Sequence, residues 1–337
     1  MTEAAIDWAA AARAELARKT MPRGALGRLE GAAVALAVAQ RTLAPRLSRV
    51  RALVFAADHG VAHDGVSAYP REVTRQMMAT LAGGRAAAGV LARATGIELE
   101  VIDVGVDADR HWDGVVDARV ARGTANLRHG PAMDASQCSA ALAAGAAAAA
   151  RASTHDAIVL GEIGIGNSTA AAALLAALSG RPAAECTGAG SGVEGPALAR
   201  KVALVAEAVA RVGVGRTARE LLAELGGFEI AAMTGAALFA AARGQTVLVD
   251  GFIAGVAALC AVRIDPPCRE RLVFTHRSAE HGHRVVLAEL AAEPLLEADL
   301  RLGEGTGAML AVPLLRAAAA VLRDMASFDD AGVSDRR

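Results

Sequence analysis

Five short apolar runs, each closed by a glycine-rich or polar turn and followed by a helical stretch, constrain this chain of 337 residues more than any other feature. They are ALVFAADHG (52–60), ELEVIDVGV (98–106), DAIVLGEIGIGNST (156–169), TVLVDGF (246–252) and RLVFTHRS (271–278). Strands separated by helices pair in parallel, because each crossover returns the chain to the same end of the sheet. The predicted fold class is therefore α/β: a parallel sheet with helices on both faces, three-layer and Rossmann-like. Ahead of the first run, residues 3–18 read as an amphipathic helix. A Gly/Pro-containing loop follows at 21–27, then a second helix near 28–43. The length suits one large α/β domain with a small helical appendage. The stretch 107–134 has no clear period and reads as a long loop, and the Ala-rich run near 140–150 reads as a helix. The tail from about 326 is polar and expected to fray.

Composition works here by exclusion. Hydrophobic residues make up 54 %, ample for a packed core, and the net charge of −1 argues against a nucleic-acid surface. It also gives no reason to invoke an anionic membrane. The four cysteines, Cys138, Cys186, Cys260 and Cys268, show no C-x-x-C spacing, which argues against a disulfide framework or a zinc knuckle. The first twenty residues carry charges throughout and lack the apolar centre of a signal peptide. No apolar run free of glycine and charge reaches ~18 residues, so no membrane span is expected and the cytoplasm is the expected location. Of 35 basic residues only Lys19 and Lys201 are lysine, an Ala and Arg bias that reads as base composition and singles out Lys201.

Ligands of open parallel sheets sit beyond the carboxyl ends of the strands. Chemistry is sought in the segments after the runs: Asp58, His59 and Gly60; Asp103 and Gly105; Glu162 through Thr169; Asp250 and Gly251; and His276, Arg277 and Ser278. GEIGIGNST (161–169) places three glycines between a strand and a helix, where free backbone N–H groups and the helix dipole suit an anion. Asn167, Ser168 and Thr169 cap that helix or bind ligand oxygens, and Glu162 is suited to accept from ribose hydroxyls. The turn lacks the lysine of a P-loop and the spacing of G-x-G-x-x-G, so neither ATP nor dinucleotide binding follows. A tight, ordinarily capped strand–helix turn explains the same residues. CTGAGSGVEG (186–195) is a second glycine-rich turn, suited to ligand approach or to plain flexibility. Lys201, six residues on, is either a point charge for a phosphate or a surface lysine.

RLGEGTGAML (301–310) holds Glu304 between Gly303 and Gly305. A carboxylate with no bulky neighbours suits a general base that must touch a planar substrate. A helix-start carboxylate favoured by the dipole is the plainer reading. In residues 57–78 the only tyrosine, Tyr69, precedes Pro70 and a helix carrying Gln76, Met77 and Met78, a combination able to line a slot for an aromatic ring. His59 with His63, and His276 with His281 and His283, lack zinc-site spacing and read as satisfied loop histidines. No metal site is expected.

Taken in order, GALGRLE (24–30), ADHGVAHDGVSAYPREVT (57–74), GEIGIGNST (161–169), GGFEIAAMTGAAL (226–238), DGFIAGVAAL (250–259), HRSAEHGH (276–283) and RLGEGTGA (301–308) resemble the nicotinate-nucleotide–dimethylbenzimidazole phosphoribosyltransferase family. The resemblance covers roughly residues 20–323. It implies a homodimer whose subunit has a small helical domain from both chain ends (1–45 with about 305–325), a large catalytic domain (46–304) and a polar tail (326–337). The implied reaction joins nicotinate mononucleotide and 5,6-dimethylbenzimidazole into α-ribazole 5′-phosphate and nicotinate, in nucleotide-loop assembly of cobalamin, with no cofactor. By residue, Glu304 matches the general base. Glu162, Gly164, Gly190, Lys201 and Ser278 match positions around the mononucleotide, joined on the same turn by Gly166, Asn167 and Ser168. The segment from Tyr69 to Met77, Gln76 included, matches the wall of the acceptor pocket, with Leu302 beside it.

Three positions depart from the family's usual pattern and bear on the acceptor's identity. Ala25 stands where serine is usual, Ala189 where a larger residue is common, and Tyr69 where the residue varies. Three other functions remain open. One is the same transfer to a different lower-ligand base, and another is a non-catalytic nucleotide-binding module, against which Glu304 within GEGTG weighs. The third is an NAD-dependent dehydrogenase, disfavoured by the missing G-x-G-x-x-G.

Overall fold

The computed structural model describes residues 6–334. Six parallel strands form the sheet: β1 (Val50–Ala57), β2 (Glu98–Gly105), β3 (Val115–Asp117), β4 (Ala157–Ile163), β5 (Thr246–Val249) and β6 (Leu272–Phe274), in the spatial order β3-β2-β1-β4-β5-β6. The chain builds outward from β1 on one side, then crosses to start β4 on the other. Strand order reverses between β1 and β4, and a crevice opens there at their carboxyl ends. Along β1, Leu53 and Phe55 enter one core while Ala52, Val54 and Ala56 enter the other, the two-residue alternation of a strand covered on both faces.

On the second face lie α1 (Trp8–Arg18), α2 (Arg28–Gln40), α3 (Glu72–Ala82), α4 (Ala87–Thr95) and, much later in the chain, α13 (Thr306–Asp324). The first face carries α5 (Ala135–Arg151), α6 (Asn167–Ser179), α7 (Ala183–Cys186), α8 (Gly195–Val212), α9 (Ala218–Leu225), α10 (Phe228–Ala242), α11 (Phe252–Ile264) and α12 (His283–Glu289). Helices α6, α10 and α11 bury residues all round, as interior helices do. Small residues make their closeness possible: a Cβ at Gly145 of α5 would overlap the Ala232 carbonyl of α10, and one at Gly235 the Leu142 carbonyl. At this contact Gly145 and Gly235 are a packing requirement.

Several expectations need adjustment. The first helix starts at Trp8, where the Asp7 side chain accepts from Ala10 N (2.9 Å), and residues 3–5 lie outside the described part. The second ends at Gln40, against an Arg41 held at φ 51°. The long loop at 107–134 contains β3, three residues and too short to show a period. The last apolar run splits: after β6, His276–Arg277 leaves the sheet as β7 and pairs with β8 (Leu296–Glu297) in a separate ribbon. The tail is not frayed where it is described. Ser327 caps α14 (Phe328–Ala331), and Lys19 Nζ donates to Met325 O at 2.8 Å. Helices α1, α2 and α13 meet one another, and their buried residues run on without a break into the second face of the sheet. Helix α13 is long and apolar enough to cross a membrane by length and composition, yet 56 % of its apolar window is buried, against α2, α4 and the sheet.

Candidate active site

A cavity of about 440 Å³ opens at the β1/β4 crevice. Its walls come from the segments after β1, β4, β5 and β6 and from the loop entering α13. The strand ends thus supply most of it, as the parallel sheet requires. A larger groove, about 1020 Å³, lies between α1, α2 and β6 and is lined by arginines, the glutamates Glu30, Glu270 and Glu293, and apolar residues.

The loop entering α13 is the most constrained backbone in the site. Gly303, Glu304 and Gly305 have φ of 85°, 58° and 72°, three left-handed residues in succession. Two glycines take that conformation freely, but Glu304 does so at a cost of roughly 1–2 kcal/mol. The loop is clamped in place: Glu304 N donates to Glu162 O at 3.0 Å, and Gly161 has no side chain, so the Glu304–Gly305 backbone lies directly against it. The Glu304 carboxylate is buried and accepts from Ala88 N through Oε2 at 2.9 Å. Burial raises its pKa above the usual carboxylate range, with the Ala88 N–H pulling the other way.

Glu162, at the end of β4, is buried and accepts a hydrogen bond from the Asn167 amide. Burial, then the neighbouring Glu229 and Asp250 carboxylates, push its pKa well up. Asp250, after β5, is also buried and pushed up to about 7, mainly by burial. His276, after β6, lines the same cavity and is held neutral by burial, its pKa down to about 4. The floor therefore holds three carboxyl groups, Glu162, Asp250 and Glu304, all raised above their usual range.

Opposite this floor, the turn Gly164–Ile165–Gly166 packs against the end of β1. A Cβ at Gly164 would overlap the Ala57 carbonyl, and Gly166 sits at φ 99°. Ile165 N donates to Thr74 Oγ1 at 3.0 Å, tying the turn to α3. Asn167 and Ser168 open α6, and Gly190, at φ 54°, approaches from the second glycine turn. Lys201 is not a surface residue: it is 1 % exposed, and its ammonium donates to Ser168 Oγ (3.0 Å) and Gly188 O (3.1 Å). It stands behind the cavity lining, with burial bringing its pKa down to about 8. Ser278 lines the wall, held through its backbone N–H by His283 Nδ1 at 2.8 Å.

The cavity mouth is apolar. Tyr69 and Leu302 are 57 % and 63 % exposed, and Val73 and Met77, one turn apart on α3, line the wall between them and the floor. Gln76 flanks that face: it is exposed and outside the cavity lining, one residue along the helix and so about 100° round from Met77. The histidines point elsewhere than toward a shared ion. His59 Nε2 meets Glu229 Oε1 at 2.8 Å, and His63 Nε2 accepts from Arg71 at 2.7 Å. Sequence reasoning placed Asp250 and His276 after strands but gave them no role. It missed Glu280, which accepts from Gly190 N at 3.3 Å, and the Ser67–Ser191 hydroxyl contact of 2.7 Å at the mouth. Both link distant segments and leave no local signal.

Enzymes of the α/β class hold nucleotide-like ligands at such a crevice, and this fold and site are of that class. A family profile described as phosphoribosyltransferase matches residues 1–333. The nicotinate-nucleotide–dimethylbenzimidazole phosphoribosyltransferase of Ralstonia nicotianae is 49 % identical over 97 % of this chain and 94 % of its own. That of Aromatoleum aromaticum is 50 % identical over 97 % and 96 %. The crystal structure of CobT from Thermus thermophilus superposes with a TM-score of 0.94 at 45 % identity, over 98 % of this chain and 100 % of that one. The chain belongs to this phosphoribosyltransferase family.

Proposed function

We propose that this cavity transfers the phosphoribosyl group of nicotinate mononucleotide to 5,6-dimethylbenzimidazole, releasing nicotinate and α-ribazole 5′-phosphate. The observation that carries it is Glu304, a buried, raised-pKa carboxylate held in a left-handed loop at the cavity floor. The acceptor's free ring nitrogen gives its lone pair to C1′ of the ribose. The C1′–pyridinium bond breaks and its electron pair stays with nicotinate, so no acid is needed for departure. As the acceptor becomes cationic, the proton on its second nitrogen passes to Glu304. Attack opposite the leaving group turns the β donor into the α product.

The donor is read onto the sheet side. Glu162 accepts from ribose hydroxyls, the 164–168 turn with Gly190 faces the phosphate, and Ser278 completes the wall. Lys201 acts from behind, its charge reaching the phosphate through Ser168 and the Gly190 turn. The acceptor is read onto the apolar mouth of Tyr69, Val73, Met77 and Leu302. Such a wall separates single methyl groups by only ~1–3 kcal/mol each, so unsubstituted benzimidazole is a slower substrate rather than an excluded one. The reading needs no cofactor. Two copies pair, in keeping with the family resemblance and with exposed apolar residues Val90, Leu310 and Leu314 on the neighbouring helices α4 and α13. We place the reaction in the cytoplasm, where its four free thiols stay reduced.

The test is incubation with nicotinate mononucleotide and a panel of benzimidazoles, purines and phenols, with products read by mass. Nicotinate release coupled to a ribosylated benzimidazole is the expected result. Binding of the donor without product from any base would leave a nucleotide-binding module instead.

A further inference from the structure

The helix that follows Glu304 has no side-chain cap of its own. Its N-cap is Gly305, and no side chain in its first turn accepts from the free N–H groups there. Four such groups are left open at any helix start. Here the acceptor comes from the sheet: Asp250 Oδ1, 58 residues earlier at the end of β5, accepts from Ala308 N at 2.9 Å, and the backbone N–H groups of Gly305 and Gly307 also face that carboxylate. Beside Asp250, with its Nδ1 3.4 Å from Asp250 Oδ1, the His276 ring lies so close to Gly307 that any Cβ there would overlap it. The start of α13 thus rests on a neighbouring carboxylate and imidazole, both buried and both at strand ends.

We propose that Asp250 is a positioning residue for the transfer reaction: it caps α13 from across the site and so fixes the Gly303–Glu304–Gly305 loop. The inference rests on the reading of Glu304 as the base. The loop's own ties are few, namely Glu304 N to Glu162 O, the Ala88 N–H to the carboxylate, and Thr306 Oγ1 back to Gly303 O at 2.7 Å. Freed from Asp250, the helix start loses the side-chain acceptor that ties Ala308 N to the end of β5, and the loop keeps only the Glu162 carbonyl as its tie to the sheet among the described residues. A shift of about 1 Å in a catalytic group costs up to about a hundredfold in rate.

Asp250→Ala and Asp250→Asn separate this from a plain structural role, since asparagine keeps an oxygen that accepts from Ala308 N and alanine does not. In Asp250→Ala, kcat is expected to fall between about tenfold and a hundredfold with both KM values within about twofold, and the amides of 305–308 to exchange hydrogen faster. Asp250→Asn is expected to restore most of kcat and the slow exchange. Wild-type kcat in the alanine variant overturns the proposal. So does a loss of kcat with exchange at 305–308 unchanged, which would make Asp250 a group acting on the substrate itself. If the alanine variant does not fold, Gly307→Ala decides: it leaves Asp250 in place and drives the helix start off the His276 ring. Reduced kcat with faster exchange then supports the proposal, and unchanged kcat overturns it. An inactive wild type would defeat the reaction reading, while exchange at 305–308 would still report whether Asp250 holds the loop.

Discussion

Glu304 pays twice for its place, once in a left-handed backbone and once in a buried carboxylate. The carboxylate satisfies the Ala88 N–H at the start of α4, and its strain and burial together support the proposed role as base. Glu304→Gln keeps the shape and an oxygen for the Ala88 N–H while removing the charge. Turnover is expected to drop ~10²–10⁴-fold with Tm no lower than wild type, checked by single-turnover assay and thermal melt. Lys201 carries a second buried charge, with a pKa near 8 in the fold against 10.5 for a free lysine. Its ammonium must be charged to attract a phosphate, so donor KM is expected to rise as pH passes above about 8, measured at saturating acceptor. Stability runs the other way. Between pH 8 and 10.5 the unfolded chain holds a proton that the folded one has released, so stability rises with pH there. The shift corresponds to ~3 kcal/mol of cost below about pH 8. Lys201→Met is therefore expected to be more stable than wild type at neutral pH and to lose this rise, as urea melts at about pH 7 and about pH 10 would read.

At the scale of elements, the strands were legible because a strand buried on both faces is a mostly apolar run, clear in β1, β4, β5 and β6 and in the buried second half of β2. The sixth, β3, has three residues, of which Asp117 is exposed, and no period can show in that length. The glycine turns of the site were legible because close backbone approach requires glycine. What the sequence hid are contacts across it. Asp250 meets Ala308 and Glu280 meets Gly190 only after folding. The α5–α10 contact offers a direct check on the architecture. Gly145→Ala places a methyl group onto the Ala232 carbonyl of a helix buried all round, which has little room to move. Overpacking of this kind typically costs ~1–3 kcal/mol, so the denaturation midpoint is expected to fall while the urea m-value stays constant.

At the scale of the whole molecule, pairing is expected to be visible directly. Light scattering of the purified protein is expected to give twice the chain mass of 34.1 kDa, and a monomer with full activity would remove the dimer from the account. The path of the chain carries a further consequence. Helices α1 and α2 are made first, yet they share their core with α13, which is made after every strand of the sheet. During translation the part of the second face that α13 covers, at β4 and beside α2 and α4, waits for α13 to leave the ribosome. The same late segment brings Glu304. A chain ended before α13 therefore lacks both the cover of this apolar surface and the carboxylate proposed here as the base.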